Sequence, residues 1–583
     1  MSTTSSTNSV ALDSVSARCQ LLTTSRHILP IVAVFALLAV SWQFAAIRPG
    51  VLFQPATAAA IWNFVARLFP PDLSPNFLRT VLQATAQTIA TAIAGTLLSI
   101  AFALPIGILA TGTLWNRGVL GAANNGVAYK LGWAANRLAR TLLGFVRAVP
   151  DLVWALLFVA AVGLGSLAGT LALSVAYSGV LGRVYTDVFE HVDPQPLEAL
   201  QSTGATRMQI FLRGVWPQAL PHLMAYSLYS FECCVRAAAV LGFVGAGGIG
   251  YEISVSMRLF EYGQVLTLLL VFIMLLTLTD AVSRYLRAHC FHRTDRVREL
   301  TTQRKSSNVR QFVSKSRRLV VWVSVLSLTA ASFALAGFTP GTLIQAGLVT
   351  RLTDFIRRML PPDLSWAFVS SLGTALLQTI SISLIGTLIG MALAVVLAVP
   401  ATSTLIFVRS DSPGKRGIFE RALRSFLFWS SRLVLNILRS IPELVWVLIC
   451  IIAVGIGPFA GTIALGLHTA GVLGKLYAET MEEVPMRPVE ALRSLGARPP
   501  QLLLWAIWPQ ARPLLSSYTV LRWETNLRAS TILGLLGGGG LGQAIYNNVQ
   551  LGFYPRLSTL ILIVYALVLT SDWIGERLRL RVA

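Results

Sequence analysis

Long apolar stretches recur along the chain, separated by short polar segments. They approach the roughly 20 residues that a helix needs to cross a bilayer. Only helices and closed β-barrels satisfy every backbone hydrogen bond in lipid, and these stretches lack the strict alternation of barrel strands. The pattern predicts an all-α polytopic membrane protein with about 12 transmembrane helices, near residues 28–46, 82–111, 149–165, 168–188, 220–244, 262–283, 319–337, 370–400, 441–457, 460–479, 512–536 and 557–574.

The second half of the chain repeats the first. The segment Pro-Pro-Asp-Leu-Ser at residues 70–74 returns at 361–365, and residues 147–250 align without a gap to residues 439–542 at a constant offset of 292. Each half has an even number of predicted spans, so the two run in the same direction, as in parallel repeats. We therefore expect an N-terminal tail, a first repeat, a linker and a second repeat, with bounds 1–27, 28–285, 286–318 and 319–583.

Composition supports a membrane protein and gives its orientation. The 583 residues are 55% hydrophobic and 12% charged, with a net charge of +22. Such a basic charge can indicate nucleic-acid binding, but in membrane proteins Lys and Arg concentrate in cytoplasmic loops. The loops after the second predicted span of each half are basic, so they, both termini and the linker are predicted to be cytoplasmic. The linker is also basic enough for an anionic-lipid anchor or a regulatory site.

Several kinds of chemistry have no signal in the sequence. The five cysteines form no CxxC pair, so neither a disulfide framework nor a thiolate metal site is indicated. The segment from Gly471 to Lys475 has the wrong spacing for a phosphate-binding P-loop. His468 stands alone on an apolar face, which favours a hydrogen-bonded core residue. We expect no catalytic residue, no metal and no cofactor bound by this chain, and hence no enzyme.

A polar segment of constant spacing interrupts the apolar pattern once in each half. Its pieces are a Glu-Ala pair, a glycine six residues after the Glu and a proline thirteen residues further on. A glycine permits the positive φ of a tight turn. The pattern predicts two short helices around a glycine turn, the second one ended by the proline, and this projection could pass a rigid-body push to the membrane spans. Its residues are Glu198, Ala199, Gly204 and Pro217 in the first half and Glu490, Ala491, Gly496 and Pro509 in the second.

This segment resembles the EAA loop of ABC importer permeases, a cytoplasmic helix-turn-helix that docks into a groove of the ATPase subunit. The match departs from the family at two positions before the proline, where Ile and Leu are usual. Here they are Gly214 and Trp216 in the first copy, and Ala506 and Trp508 in the second. The resemblance implies that all eight residues belong to ATPase-coupling loops.

Each half also carries an acid and an arginine within an apolar span. Glu232 and Arg236 in the first half, and Glu524 and Arg528 in the second, are four residues apart and share one helix face. Ionisable residues within a membrane usually face the bundle interior or a water-filled path. Two interpretations stay open: a structural ion pair, or arginines that also attract a passing anion.

Glycine-rich segments follow these spans. A dinucleotide site would need a preceding strand, whereas a membrane span precedes each segment. Close helix packing and a gate or pathway lining are the alternatives. The candidate glycines are Gly245, Gly247, Gly248 and Gly250, and their counterparts Gly537, Gly539, Gly540 and Gly542.

More of the chain resembles the permease subunits of phosphonate ABC importers. The similar segments are RSIPELVW (439–446), LHTAGVLGKLYAE (467–479), RWETNLRASTILGLLGGGGLG (522–542) and LGFVGAGGIGYE (241–252). The resemblance implies two tandem type I importer permease units in a prokaryotic plasma membrane. It also implies two copies of a cytoplasmic ATPase that hold ATP and Mg, and an extracytoplasmic binding protein that delivers phosphonate, phosphite or a similar phosphorus oxyanion. A methionine or phosphate permease and an ion-coupled secondary transporter remain alternatives.

Overall fold

The computed structural model describes residues 35–114, 127–299, 323, 326–338, 347–406 and 418–582. Throughout these ranges every regular element is a helix. The predicted tail lies outside the described residues, as does the linker beyond its first part. The helix that ends the first repeat continues to Glu299, into the segment predicted as linker.

The main helices occur in the same order in both halves, so α11 is the counterpart of α1 and α20 that of α10. In the first half they are α1 Phe35–Phe44, α2 Pro55–Leu68, α3 Pro75–Ala110, α4 Val127–Ala148, α5 Asp151–Val162, α6 Ser166–Glu190, α7 Pro194–Ser202, α8 Trp216–Leu241, α9 Gly248–Arg258 and α10 Tyr262–Glu299. In the second half they are α11 Leu326–Leu335, α12 Leu348–Met359, α13 Gly373–Ala401, α14 Ile418–Ser440, α15 Glu443–Val454, α16 Pro458–Glu482, α17 Met486–Ser494, α18 Trp508–Leu533, α19 Gly540–Gln550 and α20 Tyr554–Val582.

Every predicted span overlaps one of these helices, which confirms an all-α membrane protein with a repeated architecture. By length and composition, 7 helices of the described chain are long and apolar enough to cross a membrane, or up to 9 when each bent pair counts as one span. The remaining predicted spans are the short apolar helices α1 and α11 and the charged helix α18. The tally thus depends on how short, bent and charged helices are counted.

The predicted spans 149–165 and 441–457 are only the second arms of bent pairs. Helices α4 and α5 meet at 90°, and α14 and α15 at 97°. Pro150 and Pro442 lie at the two breaks, where a proline disfavours helical backbone in the residue before it. The first arms, predicted as loops, are amphipathic helices. Each first arm is bound to α6 or α16 by an ion pair, Arg140 with Glu190 and Arg432 with Glu482.

Among the described helices, the most extensive contacts join α3 to α6, and α13 to α16 in the second half. Glycines make these contacts possible: a Cβ on Gly95 would lie 2.8 Å from the Cβ of Leu173, and one on Gly107 would lie 3.1 Å from the carbonyl oxygen of Gly182. Small residues let helix backbones approach closely in membrane bundles. The main hydrophobic core contains residues from both halves, including Leu152 and Val445, so the two repeats form one bundle.

Two short helices, α2 and α12, cross between the halves. Helix α2 packs against α15 of the second half, and α12 packs against α5 of the first half. They were not predicted as helices, because short amphipathic helices contain no long apolar run. Helix α12 carries three exposed arginines, Arg351, Arg357 and Arg358.

The repeated Pro-Pro-Asp-Leu-Ser segment ties the start of α3 to α10. The backbone N–H of Ser74 donates to Oδ1 of Asp72 at 2.9 Å, and this bond lowers the pKa of the Asp72 carboxyl below its usual value. Thr267 of α10 donates from Oγ1 to the carbonyl oxygen of Asp72 at 2.8 Å. In the second half, Thr559 binds the carbonyl oxygen of Asp363 at the same distance, 2.8 Å. The motif therefore fixes one helix-to-helix junction in each half.

Candidate functional site

The first Glu-Ala segment is a helix-turn-helix. Asp193 caps α7 by accepting from the N–H of Gln195 at 3.0 Å. The helix ends in a turn at Gly204, whose φ is +79°, and the N–H of Ala205 donates to the carbonyl oxygen of Leu200 at 3.2 Å. This pattern is that of a glycine-terminated helix. A capping box then starts the next helical turn at Thr206.

The second copy has the same geometry. Gly496 has a φ of +82°, and the N–H of Ala497 donates to the carbonyl oxygen of Leu492 at 3.2 Å. A Cβ built on Gly204 or on Gly496 would meet no atom within 4 Å. The glycines are therefore needed for their backbone conformation and not for space.

The two prolines do not end the second helix as predicted. Five-residue π-helical segments, Phe211–Val215 and Leu503–Ile507, lead directly into α8 and α18. Pro217 and Pro509 lie in the first turn of those long helices. Because proline has no N–H to donate to the preceding turn, the local hydrogen-bond pattern widens and the helix continues. The projection is thus joined rigidly to a membrane span.

The outer surface of both projections is exposed. Glu198, Ala199, Glu490 and Ala491 all face outward, whereas their neighbours Leu197 and Val489 are buried. Large apolar side chains are also exposed on the projections. They include Met208 at 66%, Leu495 at 82% and Trp505 at 71% of their surface. Exposed apolar groups beside polar ones are typical of surfaces that bind another protein.

The charged residues of the spans pair across helices instead of along one helix. Glu524 accepts from Arg579 at 2.6 Å, and Arg528 donates to Asp572 at 2.7 Å. Both partners belong to α20. In the first half Glu232 lies 3.5 Å from Arg287 of α10, and the structure gives no ion pair to Arg236 among the described side chains. The predicted pairing of residues four apart is therefore replaced by bonds between α8 and α10 or α18 and α20.

Sequence reasoning missed these partners, although the repeat contains a signal for them. Asp572 and Arg579 recur as Asp280 and Arg287 at the same offset of 292 that relates the two halves. A third participant is Arg147 at the end of α4, which donates to Asp572 at 2.9 Å. This bond joins the first repeat to the second. Arg147 and Asp572 both line a cavity of about 420 Å³, and its other charged residues are Glu524, Arg528, Glu576 and Arg579.

The glycine-rich segments form tight turns against α3 and α13. Gly245, Gly247 and Gly248 have φ values of +96°, +79° and +76°. The N–H of Ile249 donates to Oγ1 of Thr88 at 2.9 Å. A Cβ on Gly250 would lie 1.7 Å from the carbonyl oxygen of Ala239. The second copy has the same conformations at Gly537, Gly539 and Gly540, and the same close contact at Gly542.

These contacts explain the glycines by backbone conformation and packing. The role of a gate stays a prediction. His468 is buried, with Nδ1 3.1 Å from the carbonyl oxygen of Ile441 and Nε2 3.6 Å from Glu443. Within the described part of the chain, no three His, Cys, Asp or Glu side chains group in a way that would hold a metal ion.

Two repeated helical units that share one core, each with a projecting helix-turn-helix, define a duplicated membrane permease. The chain belongs to the family of binding-protein-dependent transport system inner membrane components, which matches residues 118–290 and 417–583. The chain is therefore a permease subunit of an importer, with two type I units.

Relatives that match the chain are transport permeases. The phosphate-import permease PhnE of Mycolicibacterium smegmatis is 31% identical over 88% of this chain and 89% of its own length. The phosphite transport permease PtxC of Stutzerimonas stutzeri is 37% identical over 40% of this chain and 78% of its own length. The methionine import permease MetP of Bacillus subtilis is 28% identical over 24% of this chain and 68% of its own length. The first of these relatives spans both halves of the chain.

Proposed function

We propose that this chain forms the translocation pathway of an ATP-driven importer for a phosphonate or a related phosphorus oxyanion. The helix-turn-helix projections at Glu198 and Glu490 dock two copies of a cytoplasmic ABC ATPase, which binds ATP and Mg. An extracytoplasmic binding protein delivers the solute. Both termini lie in the cytoplasm of a prokaryotic cell.

The repeated projection is the observation that carries the coupling proposal. Each copy is held by a buried anchor and a glycine turn, exposes its Glu-Ala pair, and continues through a π-helical segment into a membrane helix. A force on the projection therefore acts on α8 or α18 without an intervening flexible loop. An ATPase that holds the projections differently in its two states shifts the balance of permease conformations.

Gly496→Val tests this coupling. Valine is strongly disfavoured at the φ of +82° found there, while asparagine tolerates it. We expect Gly496→Val to insert normally into membranes but to lose most ATPase association and ATP-driven uptake in proteoliposomes. Gly496→Asn is the matched control and retains both. Wild-type ATPase binding and uptake by Gly496→Val protein would refute the coupling role.

The solute class is tested in the same proteoliposomes. With ATPase and binding protein present, we expect uptake of radiolabelled phosphite or phosphate to be inhibited by an excess of phosphonate and unaffected by methionine. Methionine uptake would instead favour the alternative suggested by the methionine relative. Accumulation driven by an ion gradient without ATPase would replace the proposal with a secondary transporter.

A further inference from the structure

The carboxylate of Asp572 lies between two arginines from different halves of the chain. Arg147 donates to Oδ2 at 2.9 Å, and Arg528 donates to Oδ1 at 2.7 Å and to Oδ2 at 3.0 Å. Paired guanidinium groups around one set of oxygens are the usual arrangement for binding carboxylate or phosphate. Asp572 therefore occupies the position that the oxygens of a bound anion would take.

The surroundings leave room for such an anion. The same two arginines line the cavity of about 420 Å³, and a water molecule occupies about 30 Å³ in the liquid. A hydrated phosphate group therefore fits. Arg579 also lines the cavity and is held by Glu524 at 2.6 Å. In addition, Nε of Arg528 is buried and has no hydrogen-bond partner. The cavity is thus lined by three arginines, and the carboxylates that face them are Asp572, Glu524 and Glu576.

The equivalent position of the first half is built differently. Asp280 is the counterpart of Asp572, and its Oδ1 is buried without a hydrogen-bond partner. The carboxyl group of Glu232 lies beside Asp280, so this aspartate has another acid as its neighbour. The first half repeats the aspartate and the arginines, but it has Arg284 where the second half has Glu576. Among the described side chains, only the second half has the arginine-bridged carboxylate. Within the described ranges the arrangement therefore occurs once, in the second half.

We propose that this cavity binds a phosphorus oxyanion, and that Asp572 is an internal competitor that holds Arg147 and Arg528 when the site is empty. The ligand chemistry is a phosphate-like group with at least two free oxygens. The transported solute and the phosphate of an anionic lipid headgroup both supply it, and the first source rests on the function proposed above. In either case the bound anion displaces Asp572, and the bond between the two halves opens.

Binding of radiolabelled phosphate and phosphite to the purified chain tests the proposal. Asp572→Asn keeps the size of the side chain and removes the competing charge, so we expect about 10-fold tighter binding, equivalent to about 1.4 kcal/mol. Asp572→Glu restores the charge and is expected to bind as weakly as the wild type. Arg147→Gln in the Asp572→Asn background should abolish the gain. Asp280→Asn is the matched control in the other half and should leave binding unchanged.

Lipid nanodiscs distinguish the two sources. If the Asp572→Asn protein binds neither salt more tightly but gains thermal stability in phosphatidylglycerol discs relative to phosphatidylcholine discs, the ligand is a lipid phosphate. Unchanged binding and unchanged stability in both settings would overturn the site. ATP-driven uptake by the wild type is measured separately, so that failure of the site is not confused with failure of the proposed function.

Discussion

Single glycines decide how closely the helices of this bundle pack. A Cβ on Gly542 would lie 1.8 Å from the carbonyl oxygen of Thr531, which is backbone and cannot turn aside. Gly575 has a different role: a Cβ there would lie 1.6 Å from Oε1 of Glu524. The absence of a side chain at Gly575 leaves the space in which Glu524 meets Arg579.

Gly542→Ala is expected to destabilise the protein by about 1–3 kcal/mol, the range for an overpacked core. The thermal midpoint of the purified protein in detergent measures this. Gly144 in α4 is a helical glycine with nothing within 4 Å of its Cβ position, so Gly144→Ala should be neutral or slightly stabilising. Equal midpoints for the two variants would contradict the packing argument.

At the scale of elements, the sequence predicted the helices that contain long apolar runs. The membrane helices, the repeat and the glycine turns at Gly204 and Gly496 follow from hydropathy, offset and spacing. Helices α2, α4, α12 and α14 were missed, because a narrow apolar stripe on a polar segment is a weak signal between long spans. The partner of Glu524 was missed for another reason: Arg579 is 55 residues away, so the packing of α18 on α20 selects it, while the sequence favours the local arginine.

Helix α12 offers a test of how a short amphipathic helix is anchored in the bundle. Phe355 is 9% exposed and meets the ring of Tyr554 edge-on, with centroids 5.1 Å apart. We expect Phe355→Ala to cost about 3 kcal/mol and to speed amide hydrogen exchange across α12. Ile356→Ala is the control, since Ile356 is 54% exposed and surface substitutions usually change stability by less than about 0.5 kcal/mol. Similar exchange in both variants would show that Phe355 does not anchor the helix.

At the scale of the whole molecule, the two halves are equivalent in fold but not in chemistry. The buried side chain of Asn526 donates to Thr387 at 2.8 Å and to Thr469 at 2.9 Å, whereas its counterpart in the first half is Cys234. Among the described residues, the ion pair from Arg147 of the first half to Asp572 of the second half has no counterpart in the opposite direction. Fusion lets each half change separately, which two copies of one subunit cannot do.

The duplication leads to a prediction of stoichiometry. One core already includes residues of both repeats, and each repeat has one helix-turn-helix projection, so under the proposed coupling a single chain provides the two projections that two ATPases need. We expect the mass of the purified complex, measured by light scattering or native mass spectrometry, to correspond to one permease chain with two ATPase chains. Inactivating one projection with Gly204→Val should halve the ATPase bound while leaving one permease chain. A stable complex with two permease chains would contradict this prediction. It would contain twice the projections that two ATPases need, and it would show that the repeats pair between molecules.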